Sequence, residues 1–150
     1  MADRPTTNEE VVRGYAEAAT RWDYEAMDAL RHREWSAVWP QSGEVVRSTA
    51  DDRQIVLGYP GGHPTLITDR IIGSEDRWVT SPLGGAFRVS GDGDTWWGEW
   101  HMTYPDGKTW FTITLIELHD SKIWRETTYW AEPFDAPEWR RKFVERLDKS

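Results

Sequence analysis

Two glutamates and a histidine, Glu99, His101 and Glu126, fall in a stretch dense in tryptophan and threonine. A carboxylate set among indole rings loses hydration, which raises its pKa towards the working range of a general acid or base. Glu99 and His101 stand at i and i+2, so on one strand they share a face with Cβ atoms about 7 Å apart. Such a pair can shuttle one proton, as enolisation, aldol closure or hydration requires. Glu99 and His101 are therefore the expected proton-handling pair, with Glu126 as second carboxylate. The competing reading is a structural ion pair on a face open to solvent. A metal held by Glu99, His101 and Glu126, with His63 or His32 added, lacks any supporting ligand spacing. No metal and no cofactor are expected.

Three long antiparallel strands must position these groups: 95–104, 108–119 and 122–131. Pro105-Asp106-Gly107 has the chemistry of a type I turn with a glycine bulge, and Asp120-Ser121 suits a two-residue hairpin. The first turn pairs Tyr104 with Lys108, hence His101 with Phe111, Glu99 with Ile113 and Trp97 with Leu115. The second pairs His119 with Lys122 and Leu118 with Ile123, and an unbroken ladder then pairs Leu115 with Glu126. Because side chains alternate faces, one face collects Trp97, Glu99, His101, Phe111, Ile113 and Leu115. From the last strand it adds Trp124, Glu126, Thr128 and Trp130. That face is expected to line a pocket, with Trp97, Phe111, Trp124 and Trp130 as walls and Thr128 as a hydrogen-bonding group. The other face, with Trp96, Trp100, Met102, Ile116, Leu118 and Ile123, is expected to be convex and to need cover. A one-residue slip would exchange the faces.

The chain has 150 residues, a net charge of −8 and no cysteine. That length fits one domain, 1–150, with residues 1–6 as a disordered lead. Acidic composition without a basic patch argues against nucleic acid or an anionic membrane as partner. Absence of cysteine excludes thiol chemistry and thiolate metal sites. No apolar run reaches the roughly 18–20 residues that span a bilayer, and the N-terminus lacks a signal peptide's apolar region. A cytoplasmic setting is expected. Eleven tryptophans are the outlying number, against an ordinary usage on the order of one in a hundred. They serve either as core or as the lining of a cavity.

In order along the chain, Thr7 and Glu10 form a capping box before a helix over about 8–21, with apolar positions at Val11, Val12, Tyr15, Ala18, Ala19 and Trp22. Asp23 caps a second helix to about 31. A first strand runs into Pro40, and a short helix follows Ser48 or Thr49. Strands are expected at 65–73, 78–81 and 86–90. Asp135 caps a last helix with Trp139, Phe143, Val144 and Leu147 as its stripe. Segregated helices and strands mean α+β: a cone-shaped barrel of strongly curved, mostly antiparallel sheet wrapped over the N-terminal helices, with a C-terminal helix.

Several of these pieces resemble the SnoaL-like (polyketide cyclase-related) branch of the nuclear transport factor 2-like fold. They are the helix pair over 7–31, the corner Trp39-Pro40-Gln41-Ser42-Gly43-Glu44, the turn Tyr104-Pro105-Asp106-Gly107, and the hairpin Glu117-Leu118-His119-Asp120-Ser121-Lys122-Ile123. The tail over 129–140 resembles many bacterial members, so the likeness covers nearly the whole chain. It implies a conical pocket for a small apolar or polycyclic molecule, and a homodimer through the convex sheet face. Cofactor-independent isomerase, cyclase, dehydratase or hydrolase chemistry follows as an expectation, with a non-catalytic binding or accessory module as the alternative. In the aldol cyclases, Glu126 falls where a histidine stands and Thr128 where the acid/base aspartate stands. In ketosteroid isomerase-like members a base precedes the first-strand proline, where this chain has Trp39. Trp39 and Tyr15 complete the expected substrate contacts. The epoxide hydrolase pattern of arginine between two aspartates finds no match, and no arginine is expected on the inward face.

Overall fold

The computed structural model describes residues 6–73, 76–80, 86–90 and 93–147. Helix α1 (Asn8–Thr20) starts at the expected capping box, with the Thr7 side chain accepting from the Glu10 N–H and Glu10 returning the bond. Helix α2 (Tyr24–Leu30) is capped by Asp23. Strand β1 (Arg31–Trp39) follows without a linker and pairs with β2 (Glu44–Val46). Helix α3 (Thr49–Leu57) is capped by Ser48. Strands β3 (Thr65–Gly73), β4 (Asp76–Thr80), β5 (Ala86–Ser90), β6 (Thr95–Thr103), β7 (Thr109–His119) and β8 (Lys122–Ala131) complete the sheets.

Six strands form one open sheet in the order β2-β1-β8-β7-β6-β3, while β4 and β5 pair as a separate hairpin. Among the described residues only β1 and β8 pair in parallel. The architecture is the expected α+β arrangement, with N-terminal helices on a mostly antiparallel sheet that stays open rather than closing as a barrel. Of the expected disordered lead, residues 1–5 lie outside the described residues, as do Ser74, Glu75 and residues 81–85 and 91–92 of the expected turns. The C-terminal helix is corrected. Residues Glu138–Phe143 make a short 3-10 helix with no buried residue, and Trp139, Phe143 and Leu147 stand exposed. A helical stripe without a surface to pack on has little to hold it, because helices this short depend on tertiary burial.

The register of the first hairpin is as expected: His101 opposes Phe111, Glu99 opposes Ile113 and Trp97 opposes Leu115. The second starts as expected, with His119 opposite Lys122 and Leu118 opposite Ile123. Asp120 and Ser121 both take positive φ, at 50° and 56°, the geometry of a type I′ turn. The ladder then shifts, so that Glu117 opposes Arg125 and Ile116 opposes Glu126. The expected pairing of Leu115 with Glu126 is therefore corrected. A β-bulge at Trp124 inserts one residue, and every side chain beyond it moves to the other face.

The helices cover the face of β6 and β7 that carries Trp96, Ile116 and Leu118, and the shift turns Glu126, Thr128 and Trp130 of β8 onto that same face. Trp96, Ile116, Leu118 and Ile123 are buried against Val11, Val12, Tyr15, Ala18 and Ala19 of α1. Phe111, Ile113 and Tyr129 are about half exposed on the opposite, outer face. The face assigned to convex cover is thus the inner one, and the reverse holds for Trp97, Glu99, His101, Phe111, Ile113 and Leu115. Gly73 shows how tightly the inner side is packed: a Cβ there would collide with the ring of its cross-strand neighbour Trp96.

Ile116 and Ile67 test the two faces against each other, since the first is buried and the second half exposed. Ile116→Ala is expected to cost about 2–5 kcal/mol in urea unfolding. Ile67→Ala should cost under about 1 kcal/mol.

Candidate active site

The inner face, α1–α3 and β1 enclose a cavity of ≈ 110 Å³. Five tryptophans line it, Trp22, Trp35, Trp39, Trp100 and Trp130, with Tyr15 and Tyr59. Its charged lining groups are Arg31, Asp52 and Glu126. Parallel pairing places Ala37 beside Glu126. Trp35 and Trp39 flank Ala37 at i±2 on the same face, so a methyl group leaves open space between two indoles and next to the carboxylate.

Glu126 is held through one oxygen. Its Oε2 accepts from the Tyr15 hydroxyl at 2.7 Å and from the Trp35 Nε1–H at 2.7 Å. Oε1 takes no hydrogen bond among the described residues. Arg31 Nε donates to the Tyr15 oxygen at 2.8 Å, and its Nη2 lies 2.8 Å from Asp52 Oδ2 and 3.9 Å from Glu126 Oε2. Arg31 Nη1 donates to Thr49, whose hydroxyl donates to Asp28. The guanidinium also stacks 3.6 Å from the centre of the Trp35 ring. One chain of hydrogen bonds thus ties β8 to α1, β1 and α3.

Burial is the main force on the Glu126 carboxyl and pushes its pKa above the ordinary glutamate range. The charge of Arg31 and the hydrogen bonds from Tyr15 and Trp35 oppose that rise, and Asp52 adds to it. Burial also lifts the Tyr15 hydroxyl, and the Glu126 charge lifts it further, so Tyr15 remains a neutral donor. For Arg31, burial disfavours the charge, but Tyr15, Glu126 and Asp52 reverse that and hold the guanidinium charged.

A second set of hydroxyls continues the inner wall. Trp100 Nε1 donates to Thr114 Oγ1 at 3.1 Å, and Thr114 and Thr128 hydroxyls meet at 3.0 Å across β7 and β8. At the helix junction, Trp22 takes φ 54°, a costly conformation for a bulky side chain. Its backbone ends α1 in a Schellman arrangement, Trp22 N to Ala19 O and Asp23 N to Ala18 O. Its indole N–H donates to Pro64 O at 3.1 Å, so the ring both lines the cavity and pins the chain entering β3.

Of the expected site residues, Glu126, Thr128, Trp130, Trp39 and Tyr15 come together in this cavity. Glu99 and His101 do not. Glu99 faces outwards in a two-pronged pair with Arg70 at 2.7 and 2.8 Å, which holds its carboxyl below the usual range. His101 pairs with Asp69 at 2.9 Å. Trp97, Phe111, Ile113 and Leu115 share that outer face, where a shallow groove of ≈ 290 Å³ runs past Asp69, Glu99, Phe111, Ile113 and Tyr129. Trp124 sits at the bulge, stacked 4.8 Å from His119. The expectation of no inward arginine is also corrected: Arg31 is buried between Asp52 and Glu126. Residue 31 reads as the end of a helix, whereas the strand begins there and turns its side chain inwards.

No family model and no curated protein matches the chain. Solved structures do. An NTF-2 like protein of unknown function from Burkholderia xenovorans LB400 is 23% identical, with 94% of this chain and 95% of that chain covered and a TM-score of 0.71. A candidate ketosteroid isomerase from Kribbella flavida DSM 17836 is 22% identical over 94% of this chain and 90% of that one, with a TM-score of 0.70. A protein of unknown function with a cystatin-like fold from Methylobium petroleophilum PM1 is 13% identical, over 97% and 98%, at 0.61. With its helices laid across an open, mostly antiparallel sheet, this chain has the nuclear transport factor 2-like fold.

The Glu126 carboxyl links stability to pH. Its folded pKa lies above the unfolded value of about 4.3, so its contribution is complete below that value and is lost as pH rises through the folded pKa. Urea unfolding between about pH 4 and pH 8 is expected to show the parent losing stability relative to Glu126→Gln as pH increases. A constant difference across that range would contradict the burial of an ionisable carboxyl.

Proposed function

We propose that the inner cavity binds a small, largely apolar molecule and that Glu126 moves a proton on it without a cofactor. The observation that carries this reading is the asymmetry of the carboxylate. Tyr15 and Trp35 occupy Oε2, whereas Oε1 is left unbonded in a residue that lines the cavity. Fixed donors on one oxygen orient the other, and burial brings the proton affinity towards neutral pH. In an isomerase-type step, Oε1 takes a proton from a carbon beside a carbonyl and returns it to another carbon. An aldol cyclase or a dehydratase step begins with the same removal of a proton from carbon, whereas in a hydrolase step Oε1 takes the proton from the attacking water. Arg31 and Tyr15 steady the carboxylate through both halves, and the threonine wall supplies hydroxyls. Glu99 and His101, paired on the outer face, take no part.

The cavity volume favours the small end of the expected ligands, because pockets for drug-sized molecules run to about 300–1,000 Å³. The Kribbella flavida neighbour, a candidate ketosteroid isomerase, is consistent with isomerase-type chemistry. A place in the SnoaL-like branch and a cytoplasmic setting belong to the same reading. Among the described residues no helix is long and apolar enough to cross a membrane. One observation favours a binding module without turnover: Trp39 and Thr128, at the positions where relatives of this fold carry a base, cannot take up a proton near neutral pH.

Solvent exchange separates the two. In deuterated water, small cyclic ketones and enones followed by NMR are expected to gain deuterium beside the carbonyl with the parent chain. Glu126→Gln should slow this at least about 100-fold, the lower end of what a general base contributes. Quenching of tryptophan fluorescence by the same compounds without exchange would instead establish binding alone.

The outer face supports a homodimer as part of this proposal. Phe111, Ile113 and Tyr129, each about half exposed, lie side by side there, and contiguous apolar surface of this kind marks an interaction site. Light scattering after gel filtration is expected to give twice the chain mass. Ile113→Lys, which puts a like charge opposite its own copy in a symmetric interface, should give the single chain mass.

A further inference from the structure

The charges around the cavity do not balance. Arg31 and Asp52 neutralise each other at 2.8 Å, which leaves Glu126 as one negative charge in excess among the lining groups. Asp28, reached through Thr49, is exposed to solvent and adds no positive charge. A buried carboxylate of this kind is stabilised by whatever positive charge can reach its free oxygen. A proton is one such charge, and its uptake at Oε1 is the acid/base reading on which this inference rests.

The walls around the carboxylate have a property that a proton does not use. Indole faces carry negative electrostatic potential and attract cations within about 6 Å of the ring. The fold already applies this at the cavity, in the stacking of Arg31 on Trp35. Two further indoles, Trp39 and Trp130, meet edge to face at 5.5 Å and 76°, which makes a corner of two nearly perpendicular rings. Trp100 faces the same cavity with its N–H directed to Thr114. Ala37 supplies the gap through which this corner adjoins Glu126.

We infer that the cavity recognises a compact organic cation, an alkylated ammonium group seated against Trp39, Trp100 and Trp130 with Glu126 as its counter-ion. A primary amine or a metal ion would want several free hydrogen-bonding oxygens. The Thr114 and Thr128 hydroxyls of the lining are engaged with each other and with Trp100, and five indoles make up much of the rest. An alkylated ammonium presents a charged, apolar surface that fits such a wall. The volume of ≈ 110 Å³ takes a head group of this kind and not a fused ring system.

Choline and its uncharged carbon isostere, 3,3-dimethylbutan-1-ol, differ in charge and hardly in shape, so calorimetric titration of the full chain with each isolates the effect of charge. Choline is expected to bind at least tenfold more tightly than the isostere. Glu126→Gln and Trp130→Leu should each weaken choline at least tenfold and leave the isostere nearly unchanged. Ala37→Leu fills the space beside the carboxylate without changing any charge, and should abolish binding of both; thermal unfolding checks that each variant is folded. Equal affinity for the two probes, no binding of choline, or undiminished choline binding by folded Glu126→Gln would each overturn the inference. Deuterium exchange on the ketone panel is scored without choline. Exchange that persists while choline fails removes only the cation, and choline binding without exchange removes only the proton transfer.

Discussion

Everything at the centre of this fold depends on placing one ionised or ionisable carboxyl, Glu126, under three helices. A lone buried carboxylate is among the costliest groups a small domain can carry. Here the cost is offset by donors drawn from different parts of the chain: Tyr15 from α1, Trp35 from β1, and Arg31 through Tyr15. Asp52 on α3 then holds Arg31. The hydrogen bonds that make Glu126 tolerable also fix how the helices sit on the sheet. Removing any one partner leaves another buried polar group unpaired, which is more damaging than never having had the pair. Structure and chemistry are therefore coupled in the same few side chains.

The aromatic content follows from the same constraint. A cavity that contains a charge trio needs walls that are large, rigid and able to donate one hydrogen bond each. Tryptophan meets all three needs. Trp35 donates to Glu126 and supports Arg31 on its face, Trp100 donates to the threonine pair, and Trp22 donates to Pro64. Trp22 does so from a left-handed backbone position that glycine would fill more cheaply. Its retention there is explained by the indole's contacts, not by the turn. The outer face has no such organisation. Its ion pairs, Glu99 with Arg70 and His101 with Asp69, are exposed cross-strand pairs of small energetic weight.

The sequence departs from the structure at two points: the bulge in β8, and the choice of which face of β6 and β7 lies under the helices. Both turns and the whole 95–119 hairpin register were legible, because glycine, proline and aspartate at fixed offsets select turn types. Inside the second hairpin, the bulge at Trp124 carries no comparable signature. Counting through it assigned Glu126 to the face of Glu99 and His101. A signal was present all the same. Trp96, Trp100, Met102, Ile116, Leu118 and Ile123 make the more apolar set, although an unbroken ladder adds Arg125 to it, whereas the set read as the pocket holds Glu99 and His101. Helices cover the face with fewer ionisable groups, since burial of each unpaired one is costly. Arg31 was missed for a related reason: its side chain turns inwards only because β1 begins directly at the end of α2.

By itself the sequence determined the α+β class, the capped N-terminal helices, the strand set and the turns, because these rest on local backbone preferences and side-chain periodicity. It also identified Glu126, Thr128, Trp130, Trp39 and Tyr15 as residues able to form a site. Tertiary structure alone decided which side of the sheet faces the helices, and hence that Glu126 meets Tyr15, Trp35 and Arg31 while Glu99 and His101 look outwards. One inserted residue reverses a strand's faces while the chain on either side of it stays extended. Only packing against α1 distinguishes the two outcomes.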